Sequence, residues 1–434
     1  MASGTPQAKR GIFGLAPNVV WMGVVSFLND LSSDMIFPFI PIFLTSVLGA
    51  SYTFVGLVEG VADATASILK IISGWLADRW QRRKPLVVLG YSLSAVSKPI
   101  LAFALAPWHV LAVRFLDRVG KGSRDAPRDA LISFSSHPQN YGRAFGFHRA
   151  MDTAGAAIGP LAAVAILPFI NQNYRILFLL SFAASFLAVV ILGLFVREVS
   201  AAGNRHDGSS VSVSVDQSID TNDTNDTNAV RRANVDIRAG VAKPTGALVG
   251  RLTGLGAPYF LFLGVATLGS LGRASEAFLI LRAREVGTLV AILPLLYMVS
   301  NITFALLSTP LGAVADRLGK RNTFTAGLLV FAGAYFGFAF GATTQTLWLL
   351  FVLYGFSLAL TEGVGRAIVA GLVAEDVRAT AFGLYSASTG LALLPASVVF
   401  GILAERFGSH VAFSYGAGLA LIAAFGFLWL RNSR

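Results

Sequence analysis

Three pairs of titratable side chains stand four residues apart inside apolar runs of this 434-residue chain: Asp30 and Asp34, Glu59 and Asp63, and His148 and Asp152. On a helix that spacing puts both members of a pair on one face. A carboxylate or imidazole surrounded by apolar neighbours loses hydration, which penalises its charged form, while a nearby cation favours it. Uptake and loss of a proton at such a position therefore responds to any charge that approaches. These six residues are the expected proton carriers, with Asp34 and Asp30 foremost, and an imidazole at His148 titrates closest to neutrality.

A second concentration of charge is the stretch RFLDRVGKGSRDAPRD, Arg114 to Asp129, in a chain with only 13% charged residues. At helical spacing Arg114, Asp117, Arg118, Lys121 and Arg128 form one stripe of alternating sign. Lipid would reject such a face, whereas a wet cavity or a charged neighbouring helix would accept it, because an ionisable group near the bilayer centre costs about 2.5–3.5 kcal/mol. The later part of the chain has fewer such residues: Arg273 with Glu276, and Glu362 with Arg366. Together with Asp34, Arg114, Asp117 and Arg118 they make the expected cargo-binding set. Metal and redox chemistry find no support. The chain has no cysteine, and its five histidines, His109, His137, His148, His206 and His410, show no ligand spacing. No metal, cofactor or enzymatic activity is expected.

The elements that must position these charges follow from composition. Hydrophobic residues make up 55% of the chain and the mean hydropathy is +0.67, values natural for a polytopic membrane protein. Apolar runs recur at about residues 19–48, 54–77, 86–106, 110–134, 144–170 and 176–196, then at 259–283, 289–315, 323–341, 346–373, 379–404 and 411–430. Runs this long and continuous are helical in hydrocarbon, where backbone groups must be satisfied within each segment. The expected fold is all-α integral membrane, with 12 transmembrane helices.

The net charge of +11 could suggest nucleic acid, but the basic residues lie on alternate connections: Lys9 and Arg10, then Arg79 to Lys84, then Arg231 to Lys243, then Arg317 to Arg321, and finally Arg431 and Arg434. The turns near Ala50, Pro107 and Thr344 are uncharged. This is the positive-inside pattern with both termini cytoplasmic. A multi-pass protein of the inner (plasma) membrane is expected, in contact with the lipid bilayer and without a nucleic-acid partner.

Between the two sets of six runs, hydrophobicity collapses into a polar low-complexity segment with a short Asn-Asp-Thr repeat, read as a disordered cytoplasmic linker over 197–250. The expected domains are 1–196 and 251–434, each a six-helix bundle. The two sets also repeat one another: GWLADRWQRRK at Gly74 returns as GAVADRLGKR at Gly312, 238 residues on, and the same offset carries Arg128 onto Arg366. Paired repeats of this kind suit a rocking motion that exposes a midplane site to each side in turn.

The signature at Gly74, Asp78, Arg79, Arg82 and Arg83, and its echo at Gly312, Asp316 and Arg317, resemble the loop motif of the major facilitator superfamily. Gln81 stands where that motif has glycine. The resemblance implies that these residues act as a gate between two pseudo-symmetric six-helix bundles. It also matches Arg114 to the arginine of the family's fourth-helix motif, tied in exporters to proton handling. The run GAAIGPLAA holds Gly155 and Gly159, which permit close helix approach, and Pro160, which interrupts the hydrogen-bond ladder. It resembles the Gly-Pro motif that the family associates with antiporters.

The expectation is thus a monomeric secondary transporter that exports a polar or amphipathic small molecule in exchange for protons. A proton-coupled importer of an organic anion, a siderophore or a similar metabolite is the alternative. A non-transporting receptor would have no use for charges so costly to bury.

Overall fold

The computed structural model describes residues 15–80, 82–136, 141–199, 255–373 and 378–432. Among them every regular element is helical and none is a strand. The expected linker, 197–250, lies outside the described residues from residue 200 onward, as does Gln81.

Helix α1 (Pro17–Ile36) begins with proline at a position where no backbone donor is needed. It continues to Val47 through tighter and wider turns, because Pro38 and Pro41 each remove a donor from the ladder. There follow α2 (Tyr52–Trp80), α3 (Lys84–Ala102), α4 (Pro107–Phe134), α5 (Tyr141–Ile166) and α6 (Tyr174–Phe195). After the undescribed segment come α7 (Gly256–Gly272), α8 (Ala277–Glu285), α9 (Leu293–Leu318), α10 (Lys320–Phe340), α11 (Thr346–Leu372), α12 (Arg378–Phe407) and α13 (Ser409–Asn432). Among the described residues nine helical stretches are long and apolar enough to cross a membrane. Helices α2 and α4 and the α7–α8 pair are not among the nine. Both α2 and α4 carry charges along their length, and neither member of the pair reaches 18 residues.

One expected run needs correction. The sequence read residues 259–283 as a continuous span, but the helix breaks between Gly272 and Ala277. Arg273 turns to extended backbone, with ψ 105°. The interruption is satisfied inside the protein: the Ser275 N–H donates to Ser397 Oγ at 3.2 Å, and the Ala277 N–H donates to Ser275 Oγ at 3.3 Å. Irregular backbone at this depth is tolerated only where protein or a cavity supplies partners. Apolar stretches on both sides outweigh the polar segment from Ser270 to Glu276 in the sequence, so the run was read as continuous.

In the first half of the chain α1 packs on α5 and α6, α2 on α4, and α3 on α4 and α6. In the second half α7 packs on α12 and α13, α9 on α11, and α10 on α11 and α13. Two seams join the halves, α2 against α12 and α5 against α9. The α2–α12 seam depends on glycine. A Cβ on Gly60 would lie 2.9 Å from the backbone of Leu394, one on Gly401 would lie 2.9 Å from Thr53 Cα, and one on Gly56 would collide with the carbonyl of Ser397.

The halves are shut at the end where α1 runs into α2. An apolar cluster there includes Phe43, Val55, Phe278 and Phe400. Above it, Glu285 accepts hydrogen bonds from Tyr52 Oη at 2.8 Å, Ser409 Oγ at 2.7 Å and Arg282 Nη1 at 3.0 Å. The Thr53 N–H donates to Glu405 at 3.0 Å, and Arg284 donates to Ser46.

Because this seam has no room for a side chain, Gly60→Val is expected to destabilise the protein by about 1–3 kcal/mol through overpacking. Gly264, with open space around it, should accept Val with little change. Thermal unfolding in detergent micelles checks both, and equal melting temperatures for the two variants would disprove the close-packed seam.

Candidate functional site

The charge density of α4 is explained by what surrounds it. Gly90 and Gly120 bring α3 and α4 together, and Gly122 sits on α2, where a Cβ would lie 2.7 Å from that of Leu69. The stripe therefore meets two helices rather than lipid along much of its length. Arg114 Nη2 donates to both oxygens of Glu59 on α2, at 2.7 and 3.0 Å, and Arg114 Nη1 lies 3.7 Å from Asp117. Arg114 is 5% exposed and Glu59 2%, so this ion pair is withdrawn from water. Further along, Arg124 donates to Ser94 Oγ at 2.6 Å and covers the ring of Tyr91 at 4.3 Å. Arg128 lies 3.6 Å from Asp125 and 2.9 Å from Asp129. Lys121 is exposed.

Sequence reasoning passed over Lys98 on α3, which is 2% exposed. Its ammonium makes no hydrogen bond and lines a small cavity with Ser33, Ser97, Arg114 and Asp117. A lysine inside the third apolar run was the available signal.

The acids of α1 are held from behind. A Cβ on Gly155 would stand 3.2 Å from that of Asp30, and one on Gly159 2.8 Å from the Met35 nitrogen and 3.2 Å from Asp34 C. The small residues of α5 thus fix the backbone that carries Asp30 and Asp34. Asp30 accepts from Asn29 Nδ2 at 3.0 Å, and it lies within electrostatic reach of Asp152 on α5. His148 Nδ1 is 3.5 Å from Asp152 Oδ2, as the four-residue spacing predicts. His148 Nε2 and Asp152 Oδ1 are buried without hydrogen-bond partners. Asp34 accepts from the hydroxyl of Tyr297 at 3.2 Å. Tyr297 belongs to α9, so this bond crosses between the halves; a neutral tyrosine gave no charge signal to find it by. Asp63 on α2 lies within electrostatic reach of Arg118 and Glu59.

The break between α7 and α8 carries Arg273 and Glu276. Arg273 Nη1 donates to Glu362 Oε1 on α11 at 3.0 Å, and Tyr354 Oη donates to Glu276 Oε1 at 3.3 Å. Beside the break is a cavity of about 580 Å³. Of the expected cargo-binding residues it is lined by Arg273, Glu362 and Arg366; Asp34, Arg114, Asp117, Arg118 and Glu276 are not in its wall. Lys70 on α2, which sequence reasoning did not single out, faces the same space. Phe324 and Tyr385, near the first turns of α10 and α12, place the cavity away from the Glu285 cluster, in the opposite end of the molecule.

At that end Arg82 is exposed, whereas Arg83 is buried over the ring of Phe134 at 4.1 Å. The Arg83 and Lys84 backbone N–H groups donate to Glu198 at 3.0 and 2.8 Å. These contacts stay within the first half. Gly312 and Arg317 are placed on α9, with Arg317 exposed. Gly74 lies on α2, and the side chains of Asp78, Arg79 and Asp316 lie outside the described set. Among the described residues no group of three or more histidine, aspartate or glutamate side chains could hold a metal.

The sequence profile of the Major Facilitator Superfamily matches residues 22–271 and 261–434. An uncharacterized MFS-type transporter of Methanocaldococcus jannaschii is 33% identical over 422 residues, covering 96% of this chain and 95% of that protein. The chain belongs to the major facilitator superfamily and is a multi-pass membrane transporter by family. The multidrug resistance protein MdtH of Photorhabdus laumondii is 33% identical over 144 residues, 33% of this chain and 36% of that one. Among solved structures, the nucleoside transporter NupG superposes with TM-score 0.71 at 15% identity, covering 95% of this chain and 98% of that chain. A D-xylose-proton symporter superposes with TM-score 0.70 at 14% identity, covering 95% and 96%. These structures share the fold.

Removing one partner of a desolvated ion pair strands the other. Glu59→Gln and Arg114→Met should each cost about 3–5 kcal/mol, and the apolar double variant Glu59→Leu with Arg114→Met should regain most of it. Melting curves of the purified variants provide the check, and a double variant no better than the worse single would count against the pair acting as a unit.

Proposed function

We propose that this protein exports a polar or amphipathic small molecule across the inner (plasma) membrane in exchange for protons, by alternating access between two six-helix bundles. On this reading the broken α7–α8 pair counts as one crossing, α2 and α4 cross as charged inward-facing helices, and the total is twelve. The observation that carries the proposal is the hydrogen bond from Tyr297 to Asp34, which ties a carboxylate in the first bundle to the second. Protonation of Asp34 removes the charge that this bond serves, and thereby changes the energy of the seam between the bundles.

Several features support the direction and the assignment. The similarity to MdtH over part of the chain favours export. The glycines of α5 that press against Asp30 and Asp34 belong to the motif that resembles the antiporter signature. The buried Glu59–Arg114 pair leaves Asp34, Asp30, Asp63 and Asp152 as the proton carriers on this proposal, with His148 beside Asp152. The positive-inside pattern makes the end bearing the 580 Å³ cavity cytoplasmic, with both termini on that side and the Glu285 clasp outside. The cavity then faces inward, ready to load cargo for export by a single polypeptide. Arg82, Arg83 and Arg317, with Asp78, Arg79 and Asp316, are the proposed inner gate.

In proteoliposomes loaded with acid and a trapped pH dye, external addition of candidate cargo pools should alkalinise the lumen, because protons leave as cargo enters. Asp34→Asn should abolish that proton release while leaving cargo binding measurable. Proton movement into the vesicles together with cargo, or full proton release by Asp34→Asn, would defeat the antiport assignment.

A further inference from the structure

The large cavity is unbalanced in charge. Its ionisable lining consists of three cations, Lys70, Arg273 and Arg366, against one carboxylate, Glu362. That carboxylate already accepts from Arg273 at 3.0 Å. Arg366, one helical turn beyond Glu362 on α11, is exposed and makes no hydrogen bond or ion pair among the described residues. Lys70 faces the same space from the first half of the chain, 53% exposed, with its ammonium 4.0 Å from Asp125. Asp125 is also approached by Arg128 at 3.6 Å, so Lys70 is weakly held. Ser67, Ser270, Thr361, Ser386 and Thr389 also line it, and the remainder of the wall is largely apolar and aromatic, with Phe324, Leu328, Phe331, Leu358 and Tyr385.

A guanidinium with unfilled donors is matched in shape to a carboxylate or a related oxyanion, and an ammonium adds a point charge. Aromatic and aliphatic walls take a flat apolar body. We infer that the cargo is an amphipathic organic anion, its apolar body seated against α10 and α12 and its single anionic head taken by Arg366 and Lys70. This rests on the reading of the cavity as the cargo site.

The placement has a mechanical consequence. Arg366 and Lys70 belong to different halves of the chain, so closing the cavity brings like charges toward one another, and an anion between them neutralises the repulsion. An empty carrier resists closing at this end, and a loaded one does not. The differential affinity for the closing state resides in the anionic head.

The test uses three probes with one aromatic body and different charge: dansylglycine, anionic; dansylamide, neutral; and dansylcadaverine, cationic. Binding to the full-length protein in lipid nanodiscs is read by fluorescence and corrected with empty nanodiscs. Dansylglycine should bind about tenfold or more tightly than dansylamide, with dansylcadaverine weakest. Arg366→Gln should erase that preference, Arg366→Lys should retain part of it, and Lys70→Gln should reduce it several-fold, all with unchanged elution and melting profiles. Ser386→Trp, which fills the cavity, should expel all three probes.

The inference is overturned if the neutral or cationic probe binds as tightly as the anion. It is also overturned if Arg366→Gln and Lys70→Gln both leave the ranking intact, or if dansylglycine does not bind at millimolar concentration. Where Ser386→Trp still expels every probe but no charge preference exists, the cavity remains the binding site and only the anion assignment fails. If Ser386→Trp leaves binding intact, the cavity itself is not the site.

Discussion

The structure is organised by the cost of placing charge where water is scarce. An isolated ion in a low-dielectric interior is destabilising by several kcal/mol even after relaxation, so each buried charge needs a partner, a cavity or a change of protonation. This chain uses all three. Glu59 and Arg114 satisfy one another at 2.7 Å; Lys70, Arg273, Glu362 and Arg366 face a cavity; Asp30 and Asp152 stand as like charges within reach of one another. The first arrangement is satisfied within itself; on the proposed function the second accepts a ligand and the third is relieved by taking up a proton.

Glycine determines where these arrangements sit. Hydrocarbon provides no hydrophobic drive between helices, so their association depends on close packing of small residues and on internal polar contacts. Gly155 and Gly159 bring α5 onto the backbone that bears Asp30 and Asp34, while Gly56, Gly60 and Gly401 bring α2 onto α12 across the halves. The first contact fixes the acids; the second fixes one of the seams between the halves. A side chain at either would shift the geometry of charges that depend on distances of about 3 Å.

Much of this was legible in the sequence, because each local rule leaves a periodic trace. Asp30 with Asp34 and His148 with Asp152 were found by four-residue spacing, and α4 by a density of charge that lipid does not tolerate. Membership of the family followed from the run at Gly74 and its echo at Gly312. What the sequence did not reveal depends on packing between distant segments. Arg114 was expected in a cargo cavity, but its partner Glu59 is 55 residues away on another helix. Tyr297 carries no charge, and Lys98 and Lys70 stand alone without a spaced companion. The break at Arg273 was read through because the apolar stretches before Ser270 and from Ala277 to Leu281 outweigh the polar segment between them.

The proposed proton carriers and the cavity do not coincide. Asp30, Asp34 and Asp152 belong to α1 and α5, whereas the cavity is walled chiefly by α7, α10, α11 and α12, with Lys70 and Ala126 the notable contributions from the first half. Direct competition of proton and cargo for one carboxylate is therefore not available to the proposed exchange. Coupling has to pass through the seams. Tyr297 reaches Asp34 from α9 on the α5 side, and Lys70 of α2 and Arg366 of α11 line one cavity. Proton binding at one seam and anion binding at the other would bias the same rocking equilibrium in opposite senses. This is all that linkage requires of an exchanger: two ligands with opposite preferences for two global states. On that view the seventh-helix break serves both, since Arg273 lines the cavity while Glu276, three residues on, lies within electrostatic reach of Asp34.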